Sequence, residues 1–300
     1  MHTLQIEVYL DTQLIRCKIL TMKINLAKAA GFCFGVKRAL NIAQQTLTSS
    51  SEVYMLGDIV HNNDVIREIK RAGIKKIRRL GNGKNRTLLI RAHGACLKTF
   101  EGARQLGYHI IDATCPMVKE IHKIAIEMEE RGYRVIVIGE EKHEEVRGII
   151  GQLKHKAIVI DGLKNLPLKS LKTIKKACIV VQSTQNLEKV VRIVDVLSRF
   201  IKELKFFNTM CRPTRIKQEE IKTMSFQNEV MIIIGSKTSA NTKRLYEISK
   251  SLNRRSYWVG SKKEINPRWF KNAQSAGVTA GASTPDSTTQ EIIKYIKQVT

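Results

Sequence analysis

The sequence predicts an α/β protein built of three similar small α/β units with parallel sheets, set in a pseudo-threefold arrangement around a common centre. Three observations carry that expectation. Continuous apolar runs of four to eight residues alternate with amphipathic helical stretches, the pattern of parallel strands buried on both faces. Polar and thiol side chains recur where those runs end. Three cysteines (Cys33, Cys115 and Cys211) follow apolar runs in similar turns, 82 and then 96 positions apart.

The elements follow in order. "INLAKAAGFC" brings a small-residue turn to Cys33, and "FGVKRAL" continues as a basic helix on which Lys37 and Arg38 read as surface residues. "TLLIRAHG" precedes the helical "ACLKTFEGARQLG", and "YHIIDATCP" precedes "MVKEIHKIAIEMEERG". The rhythm returns in "YRVIVIGEEKHEE", "ACIVVQSTQN", "LKFFNTMCRP", "EVMIIIGSKTSAN" and "AGVTAGASTPD". Repeated βα units of this kind make an α/β fold. Placing the cuts at the second and third cysteines gives units 22–114, 115–210 and 211–300.

Composition narrows the classes. With 300 residues and 43% hydrophobic content the chain can bury a sizeable core. No apolar run approaches the roughly 20 residues that span a bilayer, and the amino terminus has Glu7 and Asp11 where a secretory signal is apolar. A cytoplasmic protein with no membrane partner is expected. None of the six cysteines forms a C-x-x-C pair, so thiols or metal ligands are expected rather than disulfides. The net charge of +25 reads either as a lysine-rich solubilising surface or as a field for an anionic partner. The basic residues are scattered and no zinc-finger, RNP or KH signature is present, so no specific nucleic acid is expected.

In parallel sheets, ligands bind outside the carboxyl ends of the strands. His93, Cys115, His143, Glu145, Ser183, Thr184, Cys211, Ser239, Asn241 and Ser283 all stand at such ends, which points to one shared cleft. A lone cysteine is most often a small buried apolar residue, and Cys17, Cys96 and Cys178 keep that reading. The shared placement of Cys33, Cys115 and Cys211 suits an iron–sulfur cluster with one iron left without a protein ligand; zinc with three sulfurs and a water stays open. His61, His93 and His143 read as donors to a charged ligand, and His122, inside a helix, as structural. "GSKTSAN" offers backbone N–H groups at a helix start to an anion, or simply an N-cap. Glu145 is either a solvated charge in the acidic run "EEKHEE" or a proton donor with a raised pKa. Neither a Walker loop nor a Rossmann fingerprint is present.

Nine motifs in order carry a resemblance. "INLAKAAGFCFGVKRAL", "GDIVHN", "RAHG", "DATCP", "HEEVRGIIGQ", "QST", "NTMC", "GSKTSANTKRL" and "GVTAGASTPD" together resemble the LytB-type 4-hydroxy-3-methylbut-2-enyl diphosphate reductases. The resemblance runs from about Met22 to the carboxyl terminus. It implies a trefoil around one [4Fe–4S] cluster with three cysteine ligands (Cys33, Cys115, Cys211) and one open iron. It implies diphosphate contacts from His61, His93, His143, Ser239, Ala240, Asn241 and Ser283, a proton donor in Glu145, and a hydroxyl pair in Ser183 and Thr184. Ser183 stands where the family has a threonine, and Ala240 where it has a serine. The implied reaction is a two-electron reductive dehydroxylation giving isopentenyl and dimethylallyl diphosphates. A ferredoxin- or flavodoxin-type donor is the implied partner. Residues 1–21 match no family motif and read as an extension or a misassigned start, although "LQIEVYL" has strand-like alternation.

Overall fold

The computed structural model describes residues 22–50 and 52–300; Cys17 and "LQIEVYL" lie outside them. Strand β1 (Lys23–Leu26) leads through Cys33 into helix α1 (Phe34–Ser49). Then come β2 (Val53–Leu56), α2 (Asn63–Arg71), β3 (Lys75–Ile77), β4 (Thr87–Ile90), α3 (Leu97–Gln105) and β5 (His109–Asp112). Past Cys115 run α4 (Pro116–Glu130), β6 (Arg134–Ile138), α5 (Glu144–Ile150), β7 (Ile158–Ile160), α6 (Leu168–Leu171), β8 (Lys176–Val181), α7 (Leu187–Ser198) and β9 (Glu203–Phe206). Past Cys211 run α8 (Arg212–Gln227), β10 (Val230–Ile234), α9 (Ala240–Leu252), β11 (Ser256–Val259), β12 (Ser275–Ala280) and α10 (Asp286–Val299).

The strands form three four-stranded sheets, ordered β1-β12-β10-β11, β5-β4-β2-β3 and β9-β8-β6-β7. Every pairing is parallel. Central strands such as β4 (TLLI) and β10 (VMIII) are buried at every position. Helices cover both faces of such a sheet, and each fully buried Leu, Ile or Val contributes about 1.5–3 kcal/mol.

Strand β1 corrects the division expected from the sequence. It pairs with β12, Leu26 opposite Val278, so residues 23–26 complete the sheet of the third unit, not the first. The helix after Cys33 turns the other way: Val36, Ala39 and Ala43 of α1 share a core with Val53, Met55 and Leu89. The same crossing repeats at each cysteine. Cys115 follows β5 of the second sheet, and Ile121, Ala125 and Met128 of α4 pack on Val135, Val137 and Val180 of the third. Cys211 follows β9, and Ile221 and Met224 of α8 pack on Met231 and Ile233 of the first. Each of the three cysteines therefore stands where the chain leaves one sheet for the next, and the three crossings close a cycle.

Candidate active site

The three crossings are built alike. Each cysteine is the N-cap residue of its helix and makes no side-chain cap hydrogen bond. Its backbone N–H donates to a carbonyl two residues past a strand of the sheet being left: Cys33 to Ala282 (3.1 Å), Cys115 to Ala92 (3.0 Å) and Cys211 to Ser183 (3.1 Å). The thiols, free of disulfides, line one cavity. A Cβ on Gly35 would stand 2.6 Å from the Cys115 sulfur and 4.0 Å from that of Cys33, so only glycine lets the first helix pass these two thiols. Burial pushes the Cys115 and Cys211 thiols up, and the neighbouring Cys33 adds to the effect. Ionising all three thiols demands a cationic centre. Three convergent soft donors therefore fit a cluster of thiolate-bound iron.

The same repeat places the polar residues. His61, His143 and Ser239 each stand five positions past the last residues of β2, β6 and β10; His93, Thr184 and Ser283 stand three past β4, β8 and β12. All six line the cavity with the thiols, Glu145, Ser183, Ala240 and Asn241. The histidine rings lie 4.6, 5.5 and 5.6 Å apart between centroids. Burial holds His143 down to about 4, with His61 adding repulsion. Burial first, then His61 and His143, holds His93 well below the usual imidazole range, and burial lowers His61. The Nδ1 of His143 accepts the Glu145 backbone N–H at 3.1 Å, so the neutral ring carries its proton on Nε2.

Ser239 caps α9 by accepting the Thr242 N–H, and Ser283 donates to the His61 carbonyl at 3.1 Å. Ala240 brings no hydroxyl, but as the first residue of α9 its N–H lacks an intrahelical partner. Asn241 is only 4% exposed, yet neither its Oδ1 nor its Nδ2 has a partner. This buried amide therefore leaves a donor and an acceptor open at the cavity wall.

Glu145 is not a solvated charge of the acidic run. It is 2% exposed. Its Oε1 accepts the Ser183 N–H at 2.6 Å and its Oε2 the Ser183 hydroxyl at 2.7 Å. Burial raises its pKa against those two hydrogen bonds. Thr184 accepts from the Gln182 amide at 3.1 Å, which leaves its own hydroxyl proton free to turn.

This arrangement has relatives. A family profile described as LytB protein matches residues 24–297. The chain belongs to the LytB family. The 4-hydroxy-3-methylbut-2-enyl diphosphate reductase of Aquifex aeolicus is 39% identical over 92% of this chain and 96% of its own. That of Geobacter metallireducens is 37% identical over 93% and 98%. A solved structure of (E)-4-hydroxy-3-methyl-but-2-enyl diphosphate reductase, the terminal enzyme of the non-mevalonate pathway, superposes with TM-score 0.69 at 38% identity, covering 92% of this chain and 99% of that one. The Plasmodium falciparum E-1-hydroxy-2-methyl-but-2-enyl-4-diphosphate reductase superposes with TM-score 0.83 at 26% identity, over 91% and 87%.

In this LytB chain, three features escape a reading of sequence alone. Lys217 is 3% exposed. Its ammonium donates to the carbonyls of Ala29, Gly31 (3.0 Å) and Ala280 (3.2 Å), tying the Cys33 turn to β12. Burial lowers its pKa to about 8. Its signal was positional, since Thr214, Lys217, Ile221 and Met224 form the buried stripe of α8. Arg38 is half-buried rather than a surface residue, and donates to the Thr114 carbonyl beside Cys115 at 3.1 Å. Glu144 pairs with Arg91 behind the histidines. His122 stays out of the cavity, as expected, packed against Gly94 and Gly148.

The Ser183 contact gives a graded expectation. Ser183→Ala removes one hydrogen bond to Glu145, worth about 0.5–1.5 kcal/mol, and turnover should fall by roughly threefold to tenfold. Ser183→Thr keeps the hydroxyl and should be near neutral. Steady-state kinetics on the two variants separates a working hydroxyl from a structural one.

Proposed function

We propose that the chain is a 4-hydroxy-3-methylbut-2-enyl diphosphate reductase, carrying out the two-electron reductive dehydroxylation that yields isopentenyl and dimethylallyl diphosphates. One observation carries the reading: three sheet crossings bring three thiols, a buried carboxylic acid, three histidines and the unpartnered amide of Asn241 into a single cavity.

Cys33, Cys115 and Cys211 would hold one [4Fe–4S] cluster. Such a cluster, when bound, supplies electrons and one Lewis-acidic iron free of protein ligand. The protein does the rest. Imidazole donors, Asn241, Ser239, Ser283 and the free N–H groups at the start of α9 hold the diphosphate. Glu145, whose pKa burial raises, gives a proton to the departing hydroxyl, which leaves as water, and a second proton, drawn from solvent, ends on the allylic carbon of the product. Ser183 can turn from donor to acceptor when Oε2 carries the proton, and so keeps that proton aimed at the substrate. Apolar lining from Val36, Val60, Ala92 and Val118 lowers the local dielectric and strengthens each polar contact.

Electrons enter beside the thiols. Phe34 and Met117, just past Cys33 and Cys115, are 67% and 45% exposed, Lys37 and Lys119 lie exposed on the same helix starts, and Arg212 and Arg215 on the start of α8. Apolar centres rimmed by cations fit an acidic ferredoxin or flavodoxin. No described helix is long and apolar enough to cross a membrane, and a cytoplasmic setting suits the free thiols.

Iron and acid-labile sulfide analysis of anaerobically purified protein tests the cofactor. About four of each per chain are expected for the cubane. Stoichiometric zinc without labile sulfide would replace the cluster by the three-sulfur zinc site.

A further inference from the structure

The chain carries 52 lysines and arginines, yet none is among the described residues lining the cavity. A diphosphate there would meet three neutral imidazoles, an amide, hydroxyls and helix starts whose dipoles supply about half a charge each. The main positive charge is missing from the wall.

Glu144 shows where it comes from. Its Oε1 is fixed by Arg91. Its Oε2 is buried without a hydrogen-bond partner and lies 3.8 Å from His61 Nε2 and 3.7 Å from His93 Nδ1, two nitrogens that are themselves buried and unpartnered. A shift of under an ångström would turn both approaches into hydrogen bonds. A ring that donates to Glu144 through one nitrogen and to a phosphate oxygen through the other carries two protons and a positive charge. His143 differs, because its Nδ1 already accepts the Glu145 N–H; it donates through Nε2 while staying neutral.

We propose that the positive charge arrives as protons: His61 and His93 become imidazolium ions when the diphosphate binds, and Glu144, held by Arg91, is the positioning residue that accommodates them. The inference rests on the diphosphate site proposed above. The other charges around the pair fit it. Asp58 favours a charged His61, whereas Arg91 opposes it, and Asp58 is itself paired with Lys76. Arg91 and each neighbouring imidazole oppose charge on His93. Glu140 beside His143 is matched by Arg244 and Lys243. Burial, the largest effect on each ring, disfavours the charged form of all three when no anion is present. A ligand of about three negative charges reverses that preference at His61 and His93.

Calorimetry of cluster-loaded full-length protein with inorganic pyrophosphate, in two buffers of different ionisation enthalpy, counts the protons. At pH 7.5 we expect uptake of about one to two protons per pyrophosphate, and affinity that weakens as pH rises, by about tenfold per pH unit for each linked proton. Glu144→Gln keeps an oxygen for Arg91 and loses the charge; its uptake should fall by about one proton, with iron content unchanged. Pyrophosphate binding with no proton exchange, or a Glu144→Gln protein with the wild-type proton count, overturns the inference and leaves the diphosphate site standing. Failure of wild-type protein to bind pyrophosphate overturns both.

Discussion

Cys115→Ser protein, purified without oxygen, should be nearly colourless, with iron reduced from about four per chain to a small fraction and turnover below about 1% of wild type. Serine keeps the size and the N–H donated to Ala92, so the crossing from β5 to α4 survives. What goes is the soft donor, and a hydroxyl does not replace a thiolate as an iron ligand. The sulfur also lies against Gly35 of the first crossing. Cys33→Ser and Cys211→Ser should behave alike. Cys96→Ser is the control, since Cys96 caps α3 and contacts Thr99 outside the cavity, and it should keep its iron. Full iron retention in Cys115→Ser would remove that residue from the cluster.

Glu145→Gln should lower turnover by roughly 10²-fold or more, the usual scale for a lost general acid. The amide keeps the shape and an oxygen for the Ser183 N–H, so the fold and pyrophosphate binding should be retained. A pH profile adds a second readout. The folded-state pKa is raised by burial, so the acid stays protonated above the usual carboxyl range and its contribution is lost as pH rises through the raised value. Wild-type turnover should show that alkaline decline, and Glu145→Gln should lack it. The same sign governs stability. The neutral acid is tolerated in the interior at low pH, and the cost of the buried charge appears as pH rises through the folded-state pKa. An unchanged turnover number in Glu145→Gln would take this residue out of the chemistry.

The three cysteines were legible in the sequence because an apolar run, a small turn and a thiol recur together, and strand ends are where such residues meet. The membership of β1 was not. "KINL" is four residues long and carries no mark of its partner, which lies at Ser275–Ala280; only the closing of the cycle places it. The acidic run "EEKHEE" was legible as a loop and helix start but not residue by residue. Glu144 and Glu145 are adjacent, and about 100° of helical rotation between them sends one to Arg91 and the other to Ser183. Lys217 hid for a different reason. A lysine in "TRIKQEE" reads as a solvated helix face, whereas two inward carbonyls from a distant turn and a third from β12 give it a buried seat.

The central claim is that this cavity reduces an allylic diphosphate, and a single-turnover experiment addresses it most directly. Anaerobic, cluster-loaded protein is mixed with 4-hydroxy-3-methylbut-2-enyl diphosphate and a chemical reductant that supplies both electrons of the reduction, and the products are separated and weighed by mass spectrometry. Loss of the hydroxyl, with both isopentenyl and dimethylallyl diphosphates formed, is the expected result. Substrate returned unchanged from protein that holds its iron, accepts electrons and binds the diphosphate would contradict the account.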